Sequence, residues 1–318
     1  MARSFLRKAP KADFTASTQS TIQLPRNFHM QSLVCKLVVN HNNAAAVSLL
    51  SGGFLNLINS IQIVSNGSKT HKHIDTKKLS HNSLYAIGKA MPSTVITTVS
   101  TNNNISTIFF AIDFSMLGMA RPHDTIENTA QYSTFDMLID WASAASIGTG
   151  VTVNSASLFV SSNELVGYSR NAGERIAHFI ETQLTKEVTS TTTEFQIDLP
   201  VKKVYRRLLI AAAVDGLYSN AVINSVKLKS GTTVFAEWDA EDLRAFNIRR
   251  HRIVNDADAT GLLMLDLCGR GKLSDAIDTR GQFNTLELVL NVTKQVGTNK
   301  VTVYTDEFQV EETVEVKG

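Results

Sequence analysis

The stretch INSIQIVSNG at residues 58–67 decides the fold, because the chain writes nearly the same phrase again as INSVKLKSG at residues 223–231. Ile61 and Ile63 stand two residues apart, as do Val226 and Leu228, so each pair points to one side of a strand. Asn66-Gly67 closes the first phrase and Gly231 the second; glycine and asparagine accept the positive φ that a tight hairpin turn requires. The alternation predicts Ile61, Ile63, Val226 and Leu228 on an interior face. Gln62, Val64, Lys227 and Lys229 are expected on the opposite face.

Working outward, further matches fall in the same order. Leu24-Pro25 corresponds to Leu199-Pro200, and the strand starting at Leu33 to the one starting at Leu208. Asp75 with Leu79 corresponds to Asp239 with Leu243, each aspartate placed to cap a short helix. FFAIDF (109–114) resembles LLMLDLC (262–268), FDMLID (135–140) resembles LELVLN (286–291), and GTGVTV (148–153) resembles GTNKVTV (297–303). The offset shrinks from 175 residues between Leu24 and Leu199 to 150 between Val151 and Val301, as expected when strands are kept and loops change length. Seven matches in one order are hard to obtain from chance alternation of Val, Ile, Leu and Thr.

Around these marks the texture is β throughout. Short segments rich in Val, Ile, Leu, Phe and Thr are separated by Ser, Thr, Asn and Gly, and Leu286, Leu288 and Leu290 keep a period of two. Helical spacing is confined to 75–89 and 239–250, too little for the βαβ crossovers of an α/β protein. Each copy then holds about eight strands in roughly 150 residues, a number that suits a jelly roll whose two facing sheets limit exposed edges. The predicted fold is all-β: two tandem eight-stranded antiparallel jelly-roll sandwiches with short inserted helices. The predicted organisation is a basic arm over 1–16, a first jelly roll over 17–166 and a second over 167–318, with the junction near LVGYSRNAGE (165–174).

Composition narrows the function. The 318 residues include 31 Lys and Arg against 29 Asp and Glu, a net charge of +2, so no broad basic field predicts specific nucleic-acid binding. The opening MARSFLRKAPKA carries Arg3, Arg7, Lys8 and Lys11 before any acid, without the apolar run of a signal peptide after it. Cys35 and Cys268 both sit in apolar runs and read as small buried hydrophobes. Trp141 and Trp238 read as core.

The segment RSFLRKAPKADFTASTQSTIQLPRNFHMQSLVCKLVV (3–39) joins a basic start, a polar Thr/Ser stretch and a strand ending in Leu-Pro. With the tandem repeat, it resembles the double jelly-roll major capsid proteins of icosahedral bacteriophages with an internal membrane, most of all the corticovirus and finnlakevirus types. That resemblance implies a structural protein rather than an enzyme, one that forms pseudo-hexameric homotrimers and tiles an icosahedral shell around a lipid vesicle. It implies as partners other copies of the chain, neighbouring capsomers, penton or spike proteins, and the internal membrane, approached by Arg3, Arg7, Lys8 and Lys11. It implies location in the virion after assembly in a bacterial cytoplasm. The alternative is a tandem β-sandwich spike or carbohydrate-binding adhesin.

Catalytic signatures are missing: there is no GxSxG, HExxH, Walker loop or paired CxxC, and GRGK (269–272) is too short for a phosphate loop. THKHID (70–75) sets His71 and His73 at alternate positions and reads as an exposed polar edge, a metal pair being the minor reading. NDADATG (255–261) begins like a calcium loop with Asp256 and Asp258, but its twelfth position is Leu267 where a bidentate Glu is required. An acidic turn is the first reading, and a looser calcium site at Asp256 and Asp258 is what the corticovirus resemblance hints at; no other cofactor is expected. The long connections 118–131 and 269–282, which include Arg270 and Asp278, are expected at contacts between chains.

Overall fold

A computed structural model describes residues 3–44, 46–116, 122–168, 177–268, 275–281 and 283–310. Among them sixteen strands have five residues or more, eight in each half. The first eight are β1 (Arg3–Lys8), β2 (Gln19–Gln23), β3 (His29–Asn43), β4 (Ile58–Ser65), β5 (Lys69–Asp75), β6 (Ser100–Asp113), β7 (Phe135–Trp141) and β8 (Thr152–Val166). The second eight are β9 (Ala177–Glu187), β10 (Thr192–Asp198), β11 (Val204–Val214), β12 (Ile223–Ser230), β13 (Thr233–Asp239), β14 (Leu262–Asp266), β15 (Glu287–Val292) and β16 (Asn299–Val310). A helix follows the fifth strand of each set: α1 (Thr76–Ile87) after β5 and α2 (Ala240–His251) after β13.

The two sets pair identically. One sheet of the first half runs β1-β8-β3-β6 and the other β2-β7-β4-β5. In the second half one sheet runs β9-β16-β11-β14 and the other β10-β15-β12-β13. Strands 1, 8, 3 and 6 of each set thus face strands 2, 7, 4 and 5, which is the jelly-roll order predicted from the repeat. The chain divides into two compact units, one holding the described residues up to Ser83 and Ala90–Ile180, the other holding Leu84–Lys89 and Glu181–Gln309.

Each unit has its own core. Leu33, Leu37, Ile108 and Leu158 from one sheet meet Ile22, Ile61, Ile74 and Met137 from the other in the first unit. Leu208, Ile210, Val301 and Val303 meet Ile197, Val226, Leu228 and Leu288 in the second. The duplicated phrase behaves as read: Ile61, Ile63, Val226 and Leu228 are fully buried, and β4 and β12 share the same burial sequence over their first six positions. Asn66 and Gly67 both take positive φ (52° and 72°), the conformation that lets a two-residue loop match the twist of its strands.

Several expectations need correction. Asp75 does cap α1, accepting from the Lys77 N–H at 2.7 Å, but Asp239 stands at the start of α2 with extended backbone and no side-chain capping bond. Trp141 is core, whereas Trp238, although it stands opposite the buried Val226 on the inner side of β13, is 38% exposed and stacks on Phe246 at 5.5 Å, because β13 is the edge strand of its sheet. Cys35 and Cys268 are buried free thiols, as predicted. Residues 3–8, read within a basic arm, form the edge strand β1 against β8. GRGK and Arg270 lie outside the described residues, as does most of the segment read as the junction.

Candidate functional site: an open sheet face and a buried polar cluster

Two features of the fold carry chemistry or contact. The first is the outer face of β1-β8-β3-β6. Lys36 of β3 sits between Phe109 of β6 and Phe159 of β8 in the strand register, and its ammonium lies 4.8 Å from the Phe159 ring centre. Phe109 is 41% exposed, Phe159 39%, Val34 41% and Ile105 56%, so large apolar side chains lie open on the solvent-facing side of this sheet around Lys36.

The duplication supplies a control for that patch. In the second unit Ala211 occupies the register place of Lys36, between Leu262 of β14 and Thr302 of β16. Leu209 and Tyr304 correspond in the same way to Val34 and Ser161. There the same face is covered: Leu209, Ala211, Leu262, Met264 and Tyr304 are buried in one cluster with Leu84, Tyr85, Ile253 and Ala259. Leu84 and Tyr85 come from the end of α1, and the Tyr85 carbonyl accepts from His251 Nδ1 at 2.9 Å. Asn247 of α2 adds two bonds to the edge of β14, donating to Met264 O (3.0 Å) and accepting from Met264 N (2.7 Å).

The second feature is a buried polar cluster in the first unit. A register shift between Ile63 and Val64 bulges β5, so both His71 and Lys72 turn inward; Lys72 Nζ lies over the Phe179 ring at 3.6 Å. This overturns the reading of THKHID as an exposed edge, since His71 is buried and does not share its surroundings with the half-buried His73. Glu127 comes from the 118–131 connection, where Glu127–Asn128 pairs with Met30 and His29. His178 is the second residue of β9, whose first four residues belong to the first unit.

These side chains converge. Glu127 Oε1 accepts from His178 Nδ1 at 2.6 Å and from His71 Nδ1 at 3.3 Å, while Oε2 accepts from the Tyr132 hydroxyl at 2.7 Å. His71 Nε2 meets Ser65 Oγ at 2.7 Å and His178 Nε2 meets Lys69 Nζ at 3.3 Å. Burial favours a protonated Glu127, but the hydrogen bonds from His178 and His71 outweigh it and hold the carboxyl well below the usual carboxylate range. Sequence reasoning missed this cluster because its members lie 56 and 51 residues apart and a bulge turns His71 inward.

A smaller polar motif is itself duplicated. Ser162 Oγ donates to Glu164 Oε1 at 2.6 Å on β8, and Thr305 Oγ1 donates to Glu307 Oε1 at 2.7 Å on β16, all four residues being buried. Arg7 approaches Glu164 at 3.9 Å and Lys203 pairs with Glu307. The phrases SNE (162–164) and TDE (305–307) extend the repeat beyond the matches read from sequence.

The other predicted site residues are dispersed. Lys11 pairs with Asp13 at 2.8 Å, while Arg3 and Lys8 are exposed on β1 beside the exposed Phe5 and Leu6. Asp256 and Asp258 are exposed in a short 3-10 helix, where Asn255 donates to Asp258 Oδ1 at 3.1 Å and accepts from Ala257 N. Among the described residues, His, Cys and acidic side chains with metal-ligand spacing come together only at His71, Glu127 and His178. Asp278 pairs with Arg280 at 2.6 Å. No helix among the described residues is long and apolar enough to cross a membrane.

No protein-family model matches the chain, and no curated protein does. Solved structures do. The major capsid protein of Sulfolobus Turreted Icosahedral Virus (STIV) superposes with a TM-score of 0.74 at 18% identity, covering 96% of each chain. The major capsid protein P2 of bacteriophage PM2 gives 0.66 at 12% identity over 98% of this chain and 99% of its own. A chain of the PBCV-1 virus capsid gives 0.62 at 11% identity over 98% and 94%. The chain has the double jelly-roll fold of these capsid proteins over almost all of its length.

Proposed function

We propose that this chain is a major capsid protein that forms pseudo-hexameric homotrimers and builds an icosahedral shell around an internal membrane, without enzymatic activity. The observation that carries the reading is the fold shared over almost the whole length with three viral capsid chains. The sheet face of Val34, Phe109 and Phe159 supports it, since the duplicate face in the second unit is covered and this one is open to a neighbouring copy. Two similar units per chain and three chains per ring give six similar lateral faces under closed cyclic symmetry.

The amino-terminal end suits a lipid surface. Arg7, Lys8 and Arg26 line a cleft of about 650 Å³, with Phe5 and Leu6 exposed on the same strand as Arg7 and Lys8. Each cation near an anionic bilayer contributes on the order of 1 kcal/mol. Electron microscopy of the purified chain tests the proposal. Particles with a hexagonal outline are expected, and dispersed single chains that bind glycans instead would favour the adhesin alternative.

A further inference from the structure

We propose that His71, Glu127 and His178 form a structural binding site for a divalent transition metal of the zinc class. The donor set is two imidazole nitrogens and one carboxylate oxygen, three of the four donors of a tetrahedral zinc site, with a water molecule to take the fourth position. All three side chains are at most 3% exposed, and their ligand atoms lie within 4.8 Å of one another. With bonds of about 2.0–2.1 Å, two ligands of a tetrahedral zinc ion stand about 3.4 Å apart. The Glu127 Oε1 to His71 Nδ1 separation of 3.3 Å already meets that spacing, and the 2.6 Å to His178 Nδ1 has to open by less than 1 Å.

The surroundings are those of a metal site. Tyr132 holds the second carboxylate oxygen at 2.7 Å, and Ser65 Oγ stands 2.7 Å from His71 Nε2, ready to accept its proton once Nδ1 takes the metal. Lys69 must move: with Nδ1 on the metal, His178 Nε2 carries the proton and faces the Lys69 ammonium 3.3 Å away. Lys69 is half-buried on a four-carbon stem and can turn outward. The ion would tie β5, the 127–128 strand and the first residues of β9 at one point, and place its charge directly on a buried carboxylate.

The test uses the full chain, stripped with a chelator and titrated with Zn²⁺ and separately with Co²⁺. One equivalent of tightly held metal, a raised melting temperature with Zn²⁺, and visible ligand-field bands of four-coordinate Co²⁺ are expected. His178→Gln should lose these responses, while Lys69→Gln should keep or strengthen them, because the opposing ammonium is gone. Should His178→Gln fail to fold, the wild-type Co²⁺ spectrum and the Lys69→Gln comparison still decide the matter. Sub-stoichiometric metal, no shift in melting temperature and no cobalt bands in the wild-type chain would overturn the site and leave a hydrogen-bonded network.

Discussion

Replacing Phe109 by threonine on the open sheet face should separate assembly from folding. Phe109 is 41% exposed, so with 150–250 Å² on an aromatic side chain it has roughly 60–100 Å² to bury against a neighbour. At about 25 cal/mol per Å² that contact contributes about 2 kcal/mol per interface. A cyclic trimer contains three copies of the interface, so the trimer loses about 6 kcal/mol, roughly a 10⁴-fold fall in the association constant. Threonine keeps strand propensity, and the ring lies outside the sandwich core, so the isolated chain should lose no more than about 2 kcal/mol of folding stability. Sedimentation velocity across a concentration series measures the first quantity and urea unfolding the second. A dissociation curve that superposes on the wild type, from a folded F109T chain, would refute the assignment of this face to a contact between copies.

Three further outcomes follow from single residues. His81 on α1 is buried beside Lys77 and Lys78, and burial, helped by those cations, lowers its pKa from 6.5 to about 3. Below pH 6.5 the unfolded chain takes a proton that the folded chain refuses, so this stability is complete above pH 6.5 and lost on acidification; about 2 kcal/mol should go between pH 7.5 and 5, and urea midpoints of His81→Asn should lose that part of the slope. Thr305→Val removes a buried donor to Glu307 and a partner of Thr182 (2.6 Å), so unfolding should weaken by about 1–3 kcal/mol, with a smaller effect for Thr185→Val on the exposed part of the same strand pair. Asn247→Leu strips both bonds from Met264 at the edge of β14 and should cost about 2–4 kcal/mol, with faster amide exchange at Met264 as the local signature.

The jelly-roll duplication was legible because its marks are local. INSIQI and INSVKL fix strand, register and turn within a few residues, and the same six-position burial pattern follows in both copies. What escaped depends on the third dimension. His71 faces inward only because β5 bulges opposite Ile63 and Val64, and no spacing rule announces a bulge. Glu127 and His178 reach it from two other segments, one of them inside a connection read as a contact surface. Trp238 looks like a core residue by type and does share a face with Val226, yet β13 is an edge strand and leaves it partly open to solvent. The Ser/Thr-x-Glu phrases at 162–164 and 305–307 were visible in the sequence, but the offset had drifted again and an acidic residue in a strand suggests exposure rather than a capped, buried carboxylate.

Light scattering on the purified chain, coupled to size exclusion, tests the assembly account most directly. The account predicts a stable species near three times 34.8 kDa that persists on dilution, and that F109T shifts toward a single chain. A wild-type mass of 34.8 kDa at every concentration would contradict it.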